Sequence, residues 1–412
     1  MGAQPTRLKT HAETQLAAQF SDLGEVSPDR RAAFAAFEAA GLPHKRVEAY
    51  HFTDVRAALR EAMPLAQLAE HAPPRRRAED GASVIVVRDG RYDAALSDAL
   101  PPGVTLEVRA PSGPPPSDPV IALNRAFCAE ELVLRVAAGV AVEAPVRIEA
   151  ISSGQQAHAV FRRTRVELGA GASLTLAESA HGSAAPSQAN VLLSLDLADG
   201  ATLAHVTVIH GGRGIVLASL EARVGANCQL SSFAMLSGGA LIRRQLFVAM
   251  AGAHSQLSLD GVGLLRGSEH IDTTLTVTHE APHCTSRETF RHIVDGEATG
   301  VFQGKIVVAP GAQKTDGKMM SKSIVLADGA VMNNKPELEI FADDVVCGHG
   351  ATVGGLDEAQ VFYARSRGIP KAEAEALLLE AFAGEVVDVI AHEATRERMR
   401  THLARWLADR KA

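Results

Sequence analysis

A glycine-alanine pair recurs at Gly171-Ala172, Gly200-Ala201, Gly225-Ala226 and Gly252-Ala253, in steps of 29, 25 and 27 residues, and again at Gly311-Ala312 after 59. Glu280-Ala281 stands where the skipped step falls, and Gly329-Ala330 and Gly350-Ala351 continue the series at shorter intervals. Between these corners the chain is apolar at every second position, as in "RVELGAGASLTLAES" and "ATLAHVTVIH". Such alternation belongs to strands, not helices. Two strands and two turns per interval of about 25 to 30 residues make one rung of a stacked coil. Strands of successive rungs lie about 4.8 Å apart, so small corner residues let the backbones approach. The expected fold is mainly β, a parallel β-helix spanning residues 132–362. A Greek-key β-sandwich is the alternative, although it does not need a constant corner every two strands.

Helical segments are expected on both sides. Within a mixed region at 1–110, Ser27-Pro28 supplies an N-cap and a first-turn proline, Phe34 and Phe37 share a face, and Gly41 ends the helix. A second helix is expected from Thr53, and "ASVIVVRDGRY" reads as a strand, an Asp89-Gly90 turn and a return strand. The proline-rich "APSGPPPSDP" places an extended linker and a short helix at 111–131. Residues 363–412 return to helix. Pro370 opens a segment that stripes Ala374, Leu377, Leu378, Ala381 and Phe382 along one side, with Gly384 as its stop. Val386, Val389, Ile390, Met399, Leu403, Trp406 and Leu407 follow, and such a helical pair packs on its own chain or presents a face to a partner.

Several function classes are disfavoured. A formal net charge of -7 over 412 residues, with Arg75–Arg77 as the one short basic cluster, does not suit nucleic acid. The N-terminus has no apolar signal region and no run of about 18 apolar residues follows, so a cytoplasmic location is expected. Four scattered cysteines do not suggest a disulfide framework. "GVFQGKI" at 300–306 lacks the glycine spacing and the Ser/Thr of a phosphate loop, and "GVGLLR" at 261–266 lacks the third glycine of a dinucleotide fingerprint. Neither a nucleophile elbow, an HExxH nor a CxxC is present.

Two places could hold metal. "HEAPHCTSRETFRH" at 279–292 contains His279, His283, Cys284 and His292, but alternate strand residues face opposite sides and do not converge simply. Cys347 and His349 are two apart, so in a strand both point the same way and could reach one metal ion. Two ligands do not close a four-coordinate site, which leaves the rest to come from elsewhere, or leaves a packed cysteine beside a turn histidine.

Residues 335–369, "KPELEIFADDVVCGHGATVGGLDEAQVFYARSRGI", closely resemble the signature of the SufB/SufD family of the SUF iron-sulfur cluster assembly system, and its D type in particular. "GVFQGKIVV" at 300–308, "GAQKTD" at 311–316 and "GLPHKRVEAYHFTD" at 41–54 are similar to other family segments, with Tyr50 and Phe52 where a tryptophan-containing stretch is usual. The resemblance implies a right-handed parallel β-helix with flanking helices and no ATPase activity of its own. It implies a scaffold subunit that pairs with SufB through the end of the coil and binds the ATPase SufC through the C-terminal helices, with Leu378, Phe382, Val386 and Val389 as contacts. It carries over His349, and with less definition Cys347, as the site for iron or a nascent cluster shared with SufB, and leaves room for a flavin bound by the whole complex. The isolated chain is expected to form a homodimer. A homodimeric metal-handling protein and a carbohydrate-active β-helix enzyme are the other readings.

Overall fold

The computed structural model describes residues 8–67, 81–152, 156–181 and 185–410; the Arg75–Arg77 cluster lies outside them. Helix α1 (His11–Ser21) starts at a capping box in which the Thr10 hydroxyl accepts from the Glu13 amide at 3.2 Å and the Glu13 carboxylate accepts from the Thr10 amide at 2.7 Å. Helix α2 (Pro28–Ala40) is capped by Ser27 and ends at Gly41, whose φ of 73° suits glycine. The helix expected from Thr53 is only one turn, α3 (Val55–Ala58). Tertiary bonds explain the difference: Thr53 is held by His270 and Asp272, and the Met63 and Ala66 amides bond to Gln188 and Ala159 instead of continuing a helix.

Strands β1 (Ser83–Arg88) and β2 (Arg91–Tyr92) form the expected hairpin, followed by β3 (Val104–Arg109) and helix α4 (Pro119–Phe127). Paired strands then make the rungs: β4 (Glu131–Val136) and β5 (Val146–Ile151), β6 (His158–Leu168) and β7 (Ser173–His181), β8 (Ser187–Leu197) and β9 (Thr202–His210), β10 (Ile215–Val224) and β11 (Gln229–Ser237). The series continues with β12 (Leu241–Met250) and β13 (Gln256–Leu265), β14 (His270–His279) and β15 (Thr285–Val294), β16 (Thr299–Val308) and β17 (Asp316–Val325), and β18 (Val331–Ile340) and β19 (Val346–Gly354). Each strand pairs in parallel with the strand one rung away, giving a ten-stranded and a nine-stranded sheet and a solenoid of about seven turns. The sheets reach upstream of residue 132, because β1 pairs parallel to β5 and β3 antiparallel to β4.

Equivalent positions recur every 26 to 32 residues. The corner itself is subtler than a glycine-alanine repeat. Its left-handed position is Gly171 and Gly200 in the early rungs but Asn227, His254, His283 and Lys314 later, all with positive φ. The next residue is always small or compact and buried: Ala172, Ala201, Cys228, Ser255, Cys284, Thr315. Gly225 and Gly252 therefore sit two residues before the left-handed position. They answer a different demand, close approach, since a Cβ on Gly252 would lie 2.5 Å from the Ala226 Cα.

The core between the sheets is aliphatic, with Leu134, Leu176, Leu203, Leu246, Leu259 and Ile306 among its members. The outer faces are covered by the flanking helices. Leu217 and Leu241 pack with Phe34, Phe37 and Phe127 on one side. Tyr50 adds a latch there: its hydroxyl bonds Asp118 at 2.8 Å, and the Arg243 guanidinium stacks 3.9 Å over its ring.

On the other face, Phe233, Met235, Val262 and Leu264 pack against α6 (Lys371–Val387) and α7 (Glu393–Asp409), which follow α5 (Glu358–Ser366). Gly384 does not stop α6. A glycine inside a helix costs about 1 kcal/mol, whereas burying each of Val386 and Val387 returns about 1.5–3 kcal/mol. The buried stripe of α6 is likewise rotated from the expected one, to Ala374, Leu379, Ala383, Val386 and Val387, with Leu377 exposed.

Candidate functional site

The coil stops at β18 and β19, each of which has a parallel neighbour on one side only. Their outer amides and carbonyls form an unpaired edge, which invites another strand. Apolar side chains surround that edge: Ile340, Val346 and Val353 are exposed, Phe341 is 62% exposed, and Phe362 on the following helix is 73% exposed.

Cys347 and His349 lie in this last rung. Register places Cys347 over Gly317 and His349 over Met319, and Met319 in turn over Glu288. Both therefore belong to the inward-facing side of the strand, about 6.6 Å apart along it. In any earlier rung that side would be buried. Because nothing stacks on β19, His349 is exposed and has no side-chain hydrogen bond, while Cys347 is half-buried against the core. Burial pushes the Cys347 thiol up from its ordinary range, and the charges of Asp316 and Glu288 add to the rise. The imidazole is the readier donor to an incoming metal, and the thiol needs the metal's own charge to ionise. Among the described residues no cluster of three or more His, Cys, Asp or Glu side chains is placed to hold a metal ion, so the pair is at most part of a coordination shell.

The histidines and cysteine of 279–292 do not converge. His279 is buried and bonds Ser286 at 3.0 Å, His283 stacks on His254 at a corner with ring centroids 4.7 Å apart, Cys284 is buried in the corner column, and His292 is buried in the core. Burial lowers His279 and His292 to about 4, so both stay neutral, and it raises the thiols of Cys228 and Cys284 and takes Cys128 to about 12. These three cysteines pack as small apolar groups. The expected C-terminal contact residues also separate. Val386 is fully buried in the chain's own core, Leu378 and Phe382 are half-buried with Arg291 4.7 Å over the Phe382 ring, and Val389 is exposed.

Glu288, which carries no motif in the sequence, lies beneath Met319 and His349 in the same column. Its signal is an acid on the apolar side of an alternating strand. Neither of its carboxyl oxygens has a hydrogen-bond partner, and burial, helped by Asp260 and opposed by Ser286 and Arg287, pushes it up to about 8. The folded chain thus holds a proton there that the unfolded chain releases near pH 4.3. Stability should fall as pH rises from about 4.5 to about 8, by up to about 1.4 kcal/mol per pH unit. Glu288→Gln is expected to flatten this fall in denaturant unfolding at pH 5 and pH 8. A slope of the same sign from Asp260, raised to about 6 by burial, should remain. Parallel stability curves for the two proteins would remove the assignment.

Comparison with known proteins adds to this geometry. A family model described as the SUF system FeS cluster assembly, SufBD core domain, matches residues 150–382. The iron-sulfur cluster assembly protein SufD of Escherichia coli K12 is 36% identical over 176 residues, 43% of this chain and 42% of that protein. The iron-sulfur cluster assembly SufBD family protein slr0076 of Synechocystis is 32% identical over 212 residues, 51% of this chain and 47% of that protein. SufD of Bacillus subtilis is 35% identical over 107 residues, 26% of this chain and 24% of that protein. The aligned segments span less than half the length of these relatives.

Proposed function

The chain belongs to the SufBD core family of the SUF iron-sulfur cluster assembly system, and from that premise we propose that it is a non-catalytic scaffold subunit whose last rung completes a cluster site with a SufB-type partner. The observation that carries this proposal is the open rung itself, where an exposed imidazole and a half-buried thiol stand side by side on an edge with unpaired backbone. A partner strand added there would satisfy the edge and bring further ligands to His349 and Cys347. Iron or the nascent cluster is the cargo of such a site, and His349 offers it an imidazole nitrogen.

Docking of a SufC-type ATPase is proposed for the exposed side of the C-terminal helices. Leu377 and Val389 are exposed there, and Leu378 and Phe382 border them. Removing 370–412 is a poor test, because α6 and α7 cover Phe233, Met235 and Val262. The double variant Leu377→Asp, Val389→Asp touches only exposed positions, so its melting temperature should stay within a degree or two of the parent. Its capture of co-expressed SufC-type protein should fall at least about tenfold, a loss of about 1.4 kcal/mol. Undiminished capture would place the ATPase elsewhere. Co-expression with a SufB-type protein tests the edge: the chain is expected to leave any self-pair for the heteromeric complex, and a persistent homodimer would favour a homodimeric metal-handling protein.

A further inference from the structure

A second polar site lies inside the solenoid, well before the last rung. A cavity of about 100 Å³ opens there between the sheets. Its walls are mostly aliphatic, but Arg162 on β6, Glu178 on β7, His205 on β9 and Arg244 on β12 reach into it, each at least nine-tenths buried.

The hydrogen bonds among them form a chain that ends at Glu178 from both sides. Arg244 Nη2 donates to Ser232 Oγ at 3.2 Å, and Ser232 lies 2.9 Å from His205 Nδ1. His205 Nε2 lies 3.2 Å from one oxygen of Glu178, and Arg162 Nη2 donates to the other at 3.2 Å. Glu178 is thereby satisfied at both oxygens. Against the upward pull of burial, Arg162, His205 and Arg244 hold its carboxyl below the usual range, so it is ionised. Burial lowers Arg244 to about 10, which still leaves it charged at neutral pH.

The charges do not balance. Among the described residues the cluster has two buried guanidinium groups and one carboxylate, Arg244 is bonded only to a hydroxyl, and Arg162 Nη1 has no partner. An uncompensated charge in such surroundings is strongly unfavourable unless something neutralises it.

We propose that this cavity binds a small, weakly hydrated monoanion of the halide or hydrosulfide class, held by the Arg244 guanidinium and the free Arg162 nitrogen. A single negative charge restores neutrality, whereas a dianion such as sulfate would overshoot it. The few donors and the apolar walls suit a polarisable ion that gives up its water easily. The volume admits such an ion with a few waters, since one water needs about 10–15 Å³ of such a cavity.

Bromide is the probe, and the isolated full-length chain is the material, so the outcome is independent of any assembly role. Anomalous diffraction from bromide-soaked crystals is expected to show a peak in the cavity beside Arg244. Melting temperature should rise with bromide against gluconate at equal ionic strength, and Arg244→Met should lose both the peak and the rise. Arg244→Lys, which keeps the charge, should retain a weaker response and serves if the methionine variant does not fold. Displacement of bromide by excess hydrosulfide under anaerobic conditions assigns the site to hydrosulfide, and retention assigns it to halides. Bromide confined to the protein surface, or a melting temperature that rises no more than in gluconate, overturns the proposal.

Discussion

His349→Ala is expected to leave a complex with SufB-type and SufC-type partners assembled while lowering the iron and sulfide it acquires by about tenfold or more. The side chain is exposed and forms no hydrogen bond, so its removal breaks nothing that holds the fold. What it removes is the ligand proposed above, and even the outer partners of metal ligands typically cost 10–100-fold when lost. Anaerobic reconstitution followed by iron and sulfide analysis measures the effect, with co-purification ratios as the control for assembly. Cys347→Ser should cost less, because that thiol is raised by burial and packs partly on the core. Full cluster content in the His349→Ala complex would exclude the imidazole as a ligand.

Gly252→Ala is expected to destabilise the chain by about 3 kcal/mol or more, from a single added methyl group. The new Cβ would lie 2.5 Å from the Ala226 Cα, and the obstacle is backbone with no flexible side chain to swing aside. Overpacking usually costs about 1–3 kcal/mol, and an immovable neighbour puts this site at the upper end. Gly348→Ala is the contrasting control, since an added Cβ there meets nothing within 4 Å. Equal midpoints for the two variants in urea unfolding would show that the rungs can shift apart at little cost.

The repeat was legible because strand alternation has a period of two and because each rung brings the same steric problem back to the same corner. Its exact register was not, since the left-handed position accepts asparagine, histidine and lysine as well as glycine. Asn227 and His254 therefore carry no obvious mark, while Gly225 and Gly252 answer to close approach. The buried face of α6 is rotated by about one residue, roughly 100° about the helix axis, from the expected one, because "ALLLEAFAGEVV" is apolar most of the way round, and only packing on the solenoid selects Leu379, Ala383 and Val386. At the candidate site, the shared direction of Cys347 and His349 follows from strand geometry alone. Glu288 behind them does not, because its place depends on pairing between residues about 30 positions apart. The Arg244–Ser232–His205–Glu178 chain is harder still, since it crosses from one sheet to the other.

The one-sided pairing of β19 also governs when the site exists. In a stacked array, stability is a sum over neighbouring contacts, so an inner rung is held from two directions and the end rung from one. The free energy needed to open the chain locally is accordingly lower at the rung that carries His349 than in the inner rungs. An imidazole on a strand held from one side only is a poor trap for a stray ion, because capture must also hold the strand in place. In the proposed complex a second chain extends the sheet and supplies that support beforehand, so that the same side chain can serve as a fixed ligand. In that complex, protein assembly and ligand geometry become one event, and the unassembled subunit is expected not to gather iron on its own.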